Sequence, residues 1–185
     1  MTERSDLIDT LDRHRGFLLQ TAQGLSEEQA RTKSTVSALT IASLLKHVAD
    51  TEAQWMQFAR DGAEAFGGDS PYAEDVDWSA IDAEAATNDG DWSDSEWVDD
   101  RFDLADDDTL EVLVARVLEV GRASTAMVES IDLDLAHPLP SAPWFEQGAS
   151  WSVRRVVLHV IAEIAQHAGH ADIIRETIDG SRTMG

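Results

Sequence analysis

The sequence predicts an all-α fold: a four-helix bundle with one long acidic crossover connection. Three observations carry this. Four long segments place apolar residues at helical spacing. Two of the four are bounded by clear cap and stop residues. A single stretch, residues 67–108, gathers 16 acidic residues against one base, Arg101, and separates the first pair of helices from the second. At 185 residues the chain suits one domain, 1–185, with room for a hydrophobic core.

The first helix is expected from about Asp6 to Gln23, with Leu7, Leu11, Leu18 and Ala22 on one face. Ser26 and Gln29 then form a capping-box pattern, which starts a short helical turn. The second long helix begins at the cap Thr40, carries Ile41, Leu44, Leu45, Val48, Trp55, Phe58 and Ala59, and stops near Gly62. The acidic stretch follows, with turn signals at Gly67-Gly68, Ser70-Pro71 and Asn88-Asp89-Gly90. Its Trp78, Trp92 and Trp97 argue that part of it packs on the body. The rest reads as a solvated acidic connection or, alternatively, a cation-binding loop. The third helix spans about Thr109 to Ile131. After a loop with Pro138, Pro140 and Pro143, the final helix runs from Ser152 to about Ile178 and closes on Gly180. No β-hairpin signal and no internal repeat stand out.

Composition narrows the function. Hydrophobic residues make up 43% of the chain, so it is not a disordered composition. There are no cysteines, which removes disulfides, thiolate metal sites and cysteine nucleophiles. Fourteen basic residues face 36 acidic ones, for a formal charge of -22. On that charge the expectation is no nucleic-acid partner and no anionic membrane. No apolar run reaches the roughly 18 residues of a spanning helix. The start of the chain also lacks the pattern of a secretory signal, so a cytoplasmic location is expected.

The final helix carries the chemistry. Counting about 100° per residue from His159, Glu163 falls near 40°, His167 near 80° and His170 near 20°. The apolar stripe (Val153, Val156, Val160, Ile164, Ala171, Ile174 and Ile178) centres near 100° on that step. Four polar side chains therefore share one flank of the buried face, with Glu163 and His167 furthest into it. A buried carboxylate needs a partner. A histidinium is one, and a metal ion bound by carboxylate and neutral imidazole is the other. Residues at i and i+4 can reach one ion together. His159 and His170 cannot, being about 16 Å apart along the axis. On the second helix, His47 sits on the flank of the stripe in the same way. Glu52 lies on the apolar side as a further ligand or as an acceptor behind one. His14 and His137 have no such company.

The run from Glu163 through His167, His170 and Asp172 to Glu176, closing on Ile178-Asp179-Gly180, resembles the DinB-like superfamily. More narrowly, it resembles an actinobacterial group once known only as a domain of unknown function. Leu44-Leu45-Lys46-His47-Val48 with Trp55 is similar to that group's second-helix motif. The resemblance covers most of the chain and is poorest in the acidic middle. It implies a four-helix bundle with a metal on three side chains, which by position are His47, Glu163 and His167. Many members have histidine where this chain has Glu163; glutamate there is similar to the mycothiol-dependent maleylpyruvate isomerase branch. His170 falls where many relatives have glutamine, and His159 is not a triad position. Both are left as supporting residues or alternative ligands.

The resemblance also implies thiol-dependent chemistry, isomerisation or S-transfer, with mycothiol or a similar low-molecular-weight thiol and a small-molecule substrate. Two imidazoles and a carboxylate suit Zn²⁺, with Ni²⁺ or Fe²⁺ left open. Arg154 or Arg155 is offered as a contact for an anionic part of the thiol or substrate. Two other readings stay open: a metal-dependent hydrolase using the same triad, and a non-catalytic stress or binding bundle. A homodimer is left open as the assembly.

Overall fold

The computed structural model describes residues 2–66, 100–140, 145–146 and 148–183. Residues 67–99 of the acidic stretch, with Trp78, Trp92 and Trp97, lie outside the described residues. Among those described, the four long helices are α1 (Glu3–Ala22), α3 (Ile41–Asp61), α4 (Leu110–Ser130) and α5 (Val153–Asp179). A single turn, α2 (Glu27–Ala30), follows α1, and 3₁₀ turns occupy Gly62–Phe66 and Asp100–Phe102.

The helix starts follow from local side-chain chemistry. Thr2, Ser26 and Thr40 each open a helix with a capping box, and the hydroxyls of Thr109 and Ser152 accept from the backbone N–H three residues on. Each hydroxyl satisfies one of the orphan donors of a first turn. α1 begins earlier than its apolar pattern suggests, because Ser5 completes the box with Thr2 in place of the usual Glu or Gln. α5 ends at Gly180, whose φ of 79° is left-handed and costs glycine little.

The long helices pack as a square. α1 and α3 lie on one diagonal, and each packs against both α4 and α5. Leu11, Leu18, Leu44, Leu45, Phe58, Leu113, Val156 and Ile164 fill the space between them with at most 1% exposure. Each such side chain contributes about 1.5–3 kcal/mol by leaving water.

One feature departs from the all-helical expectation. Strands β1 (Ala136–Pro138) and β2 (Ser150–Ser152) pair antiparallel, with His137 opposite Trp151. Three-residue strands show no alternation long enough to register as a pattern, and their partners are separated by a proline-containing loop. The ribbon delivers Trp151 to the first turn of α5.

A buried ion pair crosses the bundle. Arg15 on α1 donates from Nε and Nη2 to the Glu52 carboxylate on α3, the shortest contact being 2.6 Å. Nη1 donates to Asp12. Arg15 is 4% and Glu52 1% exposed.

Candidate metal centre

His47 lies two turns into α3, and Glu163 and His167 lie one turn apart in the middle of α5. Because α3 and α5 pack directly, the three meet. One ligand atom from each lies within 4.8 Å of the others. His47 and His167 are 6% and 8% exposed, and Glu163 is half-buried. The His47 and His167 rings meet edge to face at 4.7 Å and 73°. His167 Nε2 is 3.5 Å from Glu163 Oε2. Two ligands of a tetrahedral ion with bonds of about 2.0–2.1 Å stand about 3.3 Å apart, so this pair is already near ligand spacing.

The electrostatics suit a cation. The His167 imidazole holds the Glu163 carboxyl below the usual carboxylate range, against the opposite pull of burial. A proton on His159 or His47 would act in the same direction as His167. Glu163 is therefore ionised and ready to ligate at neutral pH. Burial pushes the His159 imidazole down, with Glu163 opposing it.

The other expected residues are placed as follows. His170 Nδ1 is 3.4 Å from His167 Nδ1, on the side of that ring away from Glu163. His159 Nε2 is 3.8 Å from the other Glu163 oxygen, Oε1. Glu52 stands apart from the three and is taken by Arg15. Arg154 is engaged by Glu3 and Asp134. Arg155 is exposed, with its guanidinium 5.0 Å from the centre of the Trp151 ring.

Two surrounding features had no expectation attached. Phe102, from the 3₁₀ turn within the acidic stretch, stacks on His47 at 4.3 Å and 28°. Trp55 and Trp151 stack on each other at 5.0 Å and present their rings to His159. Neither contact has a sequence spacing of its own. Arg15 did carry a signal, since it stands at helical spacing between Leu11 and Leu18 on the buried stripe of α1.

The chain matches the mycothiol-S-transferase family over residues 6–180. None of the curated proteins compared with it matches. In fold it is similar to the colibactin self-resistance protein ClbS, solved in complex with dsDNA, with a TM-score of 0.56 and 16% identity over 94% of this chain and 95% of that one. At that identity the likeness speaks for the fold alone. The complex nevertheless overturns the expectation that nucleic acid is excluded as a partner. Net charge is a sum over the chain, and 16 of the 36 acidic residues fall within 67–108, so the total does not describe each face of the bundle. Among the described residues, no helix is long and apolar enough to cross a membrane.

Proposed function

We propose that this chain, which belongs to the mycothiol-S-transferase family, holds one divalent cation on His47, Glu163 and His167 and acts on a low-molecular-weight thiol, mycothiol, in S-transfer or isomerisation. The observation that carries the reading is the convergence of two imidazoles and an ionised carboxylate from α3 and α5, with ligand atoms within 4.8 Å. This donor set fits Zn²⁺ first, and Ni²⁺ or Fe²⁺ take the same ligands. A divalent cation bound there would supply a positive centre that lowers the pKa of a thiol at neutral pH.

The chain's own groups prepare that centre. Two neutral imidazoles and one carboxylate leave a divalent ion with a net positive charge. Three protein ligands leave coordination space for a further group. Phe102 covers one face of His47 and fixes its ring plane. His170 meets the far nitrogen of His167, the position from which such partners orient a ligating imidazole. The four long helices share one core, which supports reading residues 1–185 as a single domain.

Protein purified without a metal-affinity tag should carry about one first-row metal ion per chain by elemental analysis. His47→Ala should weaken metal binding by more than about 100-fold, beyond the loss usual for an outer partner of a ligand. The loaded protein should consume mycothiol in the presence of an electrophile, and His47→Ala should not. No metal in the wild type, with His47→Ala unchanged, sinks the reading. Turnover of a substrate panel that is indifferent to thiol assigns hydrolysis instead.

The ClbS complex favours a second reading, contact with duplex DNA. Fluorescence anisotropy of a labelled duplex decides it. Binding that weakens with added salt supports DNA contact, and a flat titration at low salt removes it.

A further inference from the structure

Glu163 has two oxygens, and they face different partners. Oε2 lies 3.5 Å from His167 Nε2, whereas Oε1 lies 3.8 Å from His159 Nε2. The two histidines stand one turn after and one turn before Glu163 on α5, so they bracket the carboxylate along the helix. His159 is held in place by tertiary packing. Its ring meets Trp55 edge to face at 4.7 Å and Trp151 at 5.2 Å. Those tryptophans come from α3 and β2 and are stacked on each other at 19°. An imidazole N–H in such an aromatic slot gains most from the acceptor beside it, and that acceptor is the Glu163 carboxylate. At 3.8 Å the pair is just outside hydrogen-bonding range, and a small rotation of the carboxylate closes it.

We propose that His159 is a positioning residue for the metal carboxylate: held by Trp55 and Trp151, it donates from Nε2 to Glu163 Oε1 and so leaves Oε2 as the one oxygen offered to the cation. The consequence is a monodentate Glu163. A carboxylate free to turn both oxygens inward would occupy a coordination position that the thiol needs. His159 thus keeps that position open without touching metal or thiol. This inference rests on the metal reading above.

Titration of metal-free protein with Co²⁺ tests it. Affinity is read by chelator competition and coordination by the visible d–d absorption. His159→Phe, which keeps a ring between the tryptophans but has no donor, should bind about 10- to 100-fold more weakly and show an altered spectrum. His159→Gln, which can donate an N–H, should recover most of the affinity and the wild-type spectrum. Thermal midpoints of the metal-free variants separate folding from binding, and His159→Leu replaces the Phe variant if that one does not fold. Wild-type affinity and spectrum in the variant without a donor overturn the proposal, as does a Gln variant no better than it. A wild type that binds no Co²⁺ overturns the metal reading itself, and this inference with it.

Discussion

Glu52 shows how a buried carboxylate can be settled without a metal. It lies on α3 five positions beyond His47 and is less exposed than either site histidine, at 1%. The difference is Arg15, whose planar fork satisfies both oxygens. Gly121 on α4 makes room for that fork, since a Cβ there would stand 3.0 Å from Arg15 Cδ and 3.1 Å from Nε. Removing one partner of such a pair strands the other charge in the core. Glu52→Ala is therefore expected to cost about 3–5 kcal/mol, read from urea denaturation at neutral pH. A change below 1 kcal/mol would show that Arg15 finds equal solvation elsewhere, Asp12 being the nearest candidate. Glu163 has no arginine among its described contacts. Its neighbours are imidazoles, the surroundings that the metal reading asks of a ligand carboxylate.

The end of α5 is fastened by Arg175. Its Nε and Nη2 donate to Asp179 at 3.0 and 2.8 Å, while Nη1 donates to the carbonyls of Thr21 and Gln23 at the end of α1. Arg175, helped by the Ser181 backbone N–H, pulls the Asp179 carboxyl down to about 2. In the unfolded chain the group titrates near 3.8. The folded state therefore prefers the ionised form. The stabilisation is complete above the unfolded value and is lost as pH falls from there through about 2. Asp179→Asn should lower the urea midpoint at pH 7, and the gap from wild type should close in acid below the folded pKa. A gap that persists there would show that the carboxylate's charge is not what fastens the helix. The ends of the helices differ in how far the sequence announces them. Thr40, Ser152 and Gly180 mark helix ends by chemistry confined to a few residues, so α3 and α5 were legible in sequence, as was the i, i+4 pairing of Glu163 with His167. His47 could be placed on its flank but not against α5. Phe102 and the Trp55–Trp151 stack depend on contacts between distant segments and left no periodic trace. The β1–β2 ribbon was too short to leave one.

At the scale of the molecule, the metal reading predicts a linked gain in stability. An ion that binds only the folded chain, at 100 times its Kd, adds about 2.7 kcal/mol. For a domain of this size that corresponds to a rise in Tm of about 5–10 °C. Thermal melts with added Zn²⁺ and with chelator measure it, and equal Tm values in both would count against the site. The arrangement of the ligands gives the gain a particular form. His47 precedes the acidic stretch, and Glu163 and His167 follow it. A shared ion would therefore close a covalent-like ring through most of the chain, with residues 67–99 and α4 inside it. Because the three ligands meet only when α3 packs on α5, the ion would stabilise the assembled bundle rather than either helix alone. The clasp is also reversible: chelation would unlink α3 from α5 without breaking any bond of the backbone.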